Sequence, residues 1–181
     1  MVSADYVFDG RKDRPYEVDD PVCPINVYGQ SKADGEDAVG RVLPDALIVR
    51  TAWQFGTHGK CFPKTILALA AKQKELAVVD DQHGSPTLNR DLARALIGLV
   101  KADAKGTVHV TNTLSCSWFG FALELLRVAE QTDVLVLKPH GISMQTWQQA
   151  TRDYLREDIA LANSAAHGLH KWNLMSARFA N

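Results

Sequence analysis

Tyr28 and Lys32 stand four residues apart in the stretch Asn-Val-Tyr-Gly-Gln-Ser-Lys, Asn26 to Lys32. On a helix that spacing sets both side chains on one face. A phenol beside an ammonium can do acid–base chemistry. Tyrosine ordinarily ionises near pH 10. An ammonium about 4 Å from a phenol, at an effective dielectric near 20, favours the phenolate by about 4 kcal/mol, or roughly three pKa units. That brings a phenol toward the range useful for general acid–base work. The bare Tyr-x-x-x-Lys pattern is weak, because both residues are common and a chance pair is ordinary in 181 residues. Its weight depends on the elements that hold it.

Those elements alternate between strand-like and helix-like segments, the pattern of an α/β parallel sheet. Asp5–Phe8 reads as a strand, and Asp9–Pro24 as a long polar loop dense in proline. A helix is expected from about Asn26 to Val42, with Val27, Ala38, Val39 and Val42 among its charges. A short buried strand, Ala46–Thr51, follows it. A second helix covers about Phe62 to Lys74, with Ile66, Leu67, Leu69 and Ala70 marking an apolar face. Leu76–Asp80 reads as a strand and Asp81–Thr87 as a turn-rich loop. Then come an amphipathic helix over Leu88–Ala102, a strand at Gly106–Asn112, and a helix from Trp118 with Ser117 as its N-cap. After Asp133–Pro139 the pattern weakens into a terminal segment that is helical in part.

Composition narrows the function classes. A formal charge of -1 with scattered basic residues points to neither a nucleic acid nor an anionic membrane as partner. Cys23, Cys61 and Cys116 are odd in number and widely spaced, which suits free thiols in a reducing cytoplasm. No histidine has the spacing of a metal site; His167 and His170 lack a third ligand in range. The opening residues lack a basic, long-apolar leader, and no window approaches the roughly 18 apolar residues of a membrane span.

Several motifs then occur in order. Ser3–Gly10 reads Ser-Ala-Asp-Tyr-Val-Phe-Asp-Gly; Pro24–Lys32 reads Pro-Ile-Asn-Val-Tyr-Gly-Gln-Ser-Lys; Arg50–Trp53 reads Arg-Thr-Ala-Trp. Asp81–Thr87 reads Asp-Gln-His-Gly-Ser-Pro-Thr, and Val108–Ala122 carries a strand, a Thr-rich turn and Ser-Trp. From about Val2 to Ala129 the chain resembles the dTDP-4-dehydrorhamnose reductases, extended short-chain dehydrogenase/reductases. The resemblance implies the C-terminal part of a doubly wound, Rossmann-like parallel sheet with a small C-terminal substrate-binding subdomain. Residues 1–80 would hold the remaining sheet and the Tyr-x-x-x-Lys helix, and residues 81–181 the intertwined subdomain. It implies reduction of the 4-keto group of dTDP-4-dehydrorhamnose with NADPH or NADH. Tyr28 would donate the proton, and Lys32 would tune it and hold the nicotinamide ribose. Ala4, Asp5 and Trp53 would line the sugar-nucleotide site. Asp81–Thr87 would shape the same pocket, although its Gly and Pro fix a turn in any case. Tyr6 and Trp118 read as packing residues. Arg50 could meet a phosphate or pair with an acid.

The chain departs from that pattern in two ways. Ala4 stands where the resembled family carries a catalytic threonine. Ser3 is no obvious replacement, since successive strand residues point to opposite faces; losing one such donor typically costs roughly 10²–10³ in rate. A glycine-rich strand–turn–helix fingerprint for a dinucleotide pyrophosphate is also missing. The expectation is therefore weak NADPH binding, and a first strand with an unpaired edge through which the chain could form a homodimer. The rival reading is a non-catalytic remnant, or a regulatory, sugar-nucleotide-binding subunit of the same fold.

Overall fold

The computed structural model describes residues 1–72, 76–130 and 147–166. Three parallel strands form the main sheet: β1 (Val2–Ala4), β2 (Leu47–Thr51) and β6 (Gly106–His109), in the order β1-β2-β6. Ser3 pairs with Arg50 and Ala4 with Thr51, while Val49 faces Val108 across the other seam. Helices cover both faces, as parallel sheets require. Val49, with Leu47, Val108 and Val110, packs against α3 (Asn89–Lys101). That helix contributes Leu92, Ala95, Leu96 and Leu99, the i, i+3, i+4, i+7 stripe legible in its sequence. The opposite face receives α1 (Val27–Val42), whose Glu36 reaches Arg50.

A second apolar cluster gathers α2 (Phe62–Ala70), α4 (Trp118–Glu130) and α5 (Trp147–Ala166) around a short parallel pair, β3 (Gln54–Phe55) and β5 (Thr87–Leu88). Phe55, Ile66, Leu88, Phe121, Leu125 and Tyr154 form its centre. An antiparallel pair, β4 (His83–Gly84) with β7 (Cys116–Ser117), closes one side. Asn112 joins the two halves: its Oδ1 accepts from the Leu88 amide at 2.7 Å and its Nδ2 donates to Asp91 at 2.9 Å.

Several expectations change. The first strand is Val2–Ala4, and Asp5–Val7 turns into a single 3-10 turn closed by the Phe8 amide on Asp5 O at 3.0 Å. Val7 and Phe8 are buried; Phe8 stacks on Tyr16 of the following loop at 4.3 Å, and the Cys23 amide of that loop donates to Val7 O at 2.8 Å. Leu76–Asp80 has strand composition but joins no ladder among the described residues; the Phe119 amide donates to Val79 O at 3.0 Å, and Asp80 accepts from Ser117 Oγ. Residues 81–87 contain β4 and the start of β5 rather than a turn alone. Ser117 caps α4 as expected, accepting from the Gly120 amide at 3.0 Å. The second helix stops at Ala70, and the segment Asp133–Pro139 lies outside the described residues.

Candidate functional site

The site forms at the carboxyl ends of β1 and β2, where open α/β sheets take their ligands. Helix α1 begins sharply because the Asn26 side chain accepts from the Gly29 amide at 2.7 Å, the standard N-cap arrangement. Its first turn lies on the 3-10 turn. A Cβ on Gly29 would sit 2.1 Å from Tyr6 O and 3.0 Å from Pro24 Cβ, so only glycine permits that approach. Gly29 and Glu36 are the buried residues of α1. Seven residues at about 100° each bring them within about 20° of one another around the axis. The same arithmetic turns Lys32 about 60° and Tyr28 about 100° to one side of that buried stripe, away from the sheet.

Tyr28 and Lys32 therefore share a face. The Lys32 Nζ lies 5.6 Å from the centre of the Tyr28 ring, and Tyr28 is 53% exposed. Tyr6 meets Tyr28 edge to face at 5.5 Å, so it is a neighbour of the pair rather than a core residue. Asp5 occupies the start of the same 3-10 turn. Burial pushes its carboxyl up to about 6, partly offset by hydrogen bonds from its own amide and that of Tyr6. Ala4, the residue before it, is buried at the end of β1.

Arg50 finds an acid. Its Nε and Nη2 donate to both Glu36 oxygens, at 3.0 Å, 3.2 Å and 2.7 Å, and its Nη1 donates to Val18 O at 3.2 Å. The guanidinium also sits 5.1 Å from the centre of the Phe8 ring. Burial would raise the Glu36 pKa, but hydrogen bonds and charge from Arg50 outweigh it and hold the carboxyl below its usual range. Burial, with the Arg50 charge beside it, lowers the pKa of His109 on β6. One side chain thus ties β2, α1 and the polar loop together.

Trp53 follows β2 with a backbone φ of 43°, strained for a residue other than glycine. Its indole stacks on Trp118 at 3.5 Å and 7°. On another side it meets Gly84, where an added Cβ would lie 2.5 Å from Trp53 Cε2. Gly84 is thus required for closeness rather than for a turn. Trp118 packs on the core cluster as well as on Trp53.

Gly29, Glu36 and Tyr6 were not singled out as site residues from sequence. A glycine in the first turn of a helix was the one available signal for the first, since it costs roughly 1 kcal/mol against alanine. Among the described residues no cluster of His, Cys, Asp and Glu could hold a metal, and no helix is long and apolar enough to cross a membrane.

Comparison with known proteins follows this geometry. A model of the RmlD substrate binding domain matches residues 1–158. The spore coat polysaccharide biosynthesis protein SpsK of Bacillus subtilis is 36% identical over 179 residues, covering 86% of this chain and 63% of that protein. A dTDP-4-dehydrorhamnose reductase of Mycobacterium tuberculosis is 47% identical over 127 residues, covering 67% and 42%. The crystal structure of a dTDP-4-dehydrorhamnose reductase from Bacillus anthracis, in complex with NADP, superposes with a TM-score of 0.77 at 33% identity, covering 86% and 64%. The chain spans less than two thirds of the length of each of these relatives. With the model matched over most of its length and these similarities in both sequence and shape, the chain belongs to the RmlD substrate binding domain family.

Proposed function

We propose that the chain carries the proton-transfer and sugar-nucleotide-binding part of a reductase that converts dTDP-4-dehydrorhamnose to dTDP-rhamnose. The observation that carries this reading is the exposed Tyr28–Lys32 face, set beside the turn that bears Ala4 and Asp5. Tyr28 donates its phenolic proton to the ketone oxygen as the carbonyl carbon is reduced. The Lys32 ammonium stabilises the phenolate left behind. Asp5 and Trp53 border the sugar nucleotide, with Trp53 held in place by Trp118 and Gly84. The substrate-binding side of this reading draws on β3 and α2 before residue 80 and on α4 and α5 after it, while α3 and β6 return to the main sheet, so the two parts are intertwined. Work as a cytoplasmic homodimer completes the reading.

A reduced nicotinamide supplies the hydride when bound. The residues present fit one end of that cofactor. Tyr28 and Lys32 offer polar groups to a nicotinamide ribose. Among the described residues, no helix opens on a three-glycine turn that would cradle the pyrophosphate; the turn before α2 has Gly56 and Gly59, and its Thr57 carbonyl already accepts from Lys64 Nζ at 2.6 Å.

Ala4 favours a second reading, a sugar-nucleotide-binding subunit without turnover, because it brings no hydroxyl to the end of β1. Incubation with dTDP-4-dehydrorhamnose and millimolar NADPH, followed by chromatography of the nucleotides, separates the two. Formation of dTDP-rhamnose supports the reductase. Binding of dTDP-rhamnose without turnover supports the subunit, and neither binding nor turnover rejects both.

A further inference from the structure

Trp53 departs from ordinary backbone geometry, with a φ of 43°, just past the carboxyl end of β2. In a bulky residue such a conformation persists only where the surroundings over-determine it. Two neighbours do so here, from opposite sides. The Trp118 ring lies 3.5 Å away and 7° from parallel, so it fills one face of the indole. A Cβ built on Gly84 would stand 2.5 Å from Trp53 Cε2, 2.7 Å from Nε1 and 2.9 Å from Cζ2. Cε2 belongs to both fused rings, and its being the nearest of the three places Gly84 over the ring rather than beyond its rim. Trp118 already fills the first face, so Gly84 covers the second. Trp53 is nonetheless partly exposed. What it offers to a ligand is therefore its rim, with neither face open for stacking. That rim stands at the sugar end of the site, since Thr51, two residues earlier, is the register partner of Ala4.

Trp118 is anchored well enough to set that placement. It opens α4 directly after the Ser117 cap, and its ring meets Phe62 at 4.5 Å and Phe121 at 6.4 Å. We infer that Trp118 is a positioning residue of the sugar-nucleotide site: with Gly84 it fixes the Trp53 indole so that the sugar of a bound dTDP-sugar meets its rim, and the thymine has no ring there to stack on. The inference rests on the sugar-nucleotide reading above and assigns the Trp53 contact to the sugar. A rim contact depends on where the indole is held, so it is lost when either support moves. A tryptophan that merely filled the core would affect stability and leave the choice between ligands unchanged.

The test uses the full chain with Trp118→Leu, Trp118→Phe, Gly84→Ala, Trp53→Ala and the Trp53→Ala/Trp118→Leu pair. Affinity is read by calorimetry for dTDP-rhamnose and for dTDP alone. Trp118→Leu removes the stacked ring but keeps an apolar side chain against the core; it should weaken dTDP-rhamnose about tenfold and leave dTDP unchanged. Trp118→Phe should recover most of that loss. Gly84 has an ordinary backbone angle, so alanine there disturbs only the indole; Gly84→Ala should show the same selective loss without touching α4. In the Trp53→Ala background, Trp118→Leu should cost about twofold or less, because its effect passes through Trp53. If Trp118→Leu does not fold, Gly84→Ala and Trp118→Phe decide by the same comparison of the two ligands. A Trp118→Leu loss that is equal with and without Trp53 overturns the inference, as does a loss of dTDP as large as that of dTDP-rhamnose; both leave the sugar-nucleotide reading standing. A parent chain that binds neither dTDP nor dTDP-rhamnose removes that reading and the inference together.

Discussion

At the residue scale, position and partner decide what each titratable group can do. Tyr28 and Asp5 lie on touching elements but in different surroundings: the phenol is half open to solvent, and the carboxyl is largely shut away. The consequence for Asp5 has a definite sign. Its folded pKa of about 6 exceeds the ordinary 3.8, so the folded form binds the proton more tightly than the unfolded chain. That contribution to stability is fully present below about pH 3.8 and is lost as pH rises through about 6. Asp5→Asn, which cannot ionise, should therefore melt like the parent near pH 4 and higher than the parent at pH 7. Melting curves across that range check it. A substitution that lowers the melting temperature equally at both pH values would show that the carboxylate is not held against its own desolvation.

At the element scale, α1 is the part that matters, because its rotation about its own axis aims the Tyr28–Lys32 face. Two contacts seven residues apart set that rotation, Gly29 on Tyr6 O and Glu36 on Arg50. The second is a buried ion pair, and breaking such a pair from one side typically costs about 3–5 kcal/mol, since the remaining charge stays buried. Glu36→Gln should accordingly lose about 3 kcal/mol in urea denaturation, whereas replacing Glu36 and Arg50 together by Met should lose much less. Equal losses in both would mean that the pair does not act as a unit. The helix itself was legible in the sequence: Asn26 as its start, the i, i+4 spacing of its polar pair, and an end near Val42 all follow from local rules. Its seat was not legible. Arg50 lies 14 residues beyond Glu36, and Trp118 lies 65 beyond Trp53, so those partners are fixed only by tertiary packing. The Asp5–Phe8 segment failed for the same reason. Its aromatic and β-branched residues suit a strand, but the Phe8–Tyr16 stacking and the Cys23 amide bond hold it as a turn instead.

At the scale of the whole molecule, the parallel sheet with a helix on either face is what the motif order implied, while the smaller cluster around Phe55 and Phe121 draws on residues both before and after residue 80. Motifs carried the family more clearly than periodicity did, because each one marks a place where backbone or side chain has a single workable form. Gly84 against Trp53 and Gly29 against Tyr6 are such places. Among the described residues no helix opens on a three-glycine turn that would cradle the phosphates of a dinucleotide. Fluorescence titration with NADPH should accordingly give a dissociation constant well above micromolar. Saturation at micromolar NADPH would show that the phosphates are held by residues not recognised above.

The most direct measurement compares the parent with Tyr28→Phe, in dTDP-rhamnose formation at millimolar NADPH and in dTDP-rhamnose affinity. Removing only the phenolic oxygen should lower turnover by about 10²–10⁴, the ordinary worth of a positioned proton donor, while affinity changes by about threefold or less. A Tyr28→Phe chain that forms product at the parent's rate would contradict the assignment of proton transfer to Tyr28.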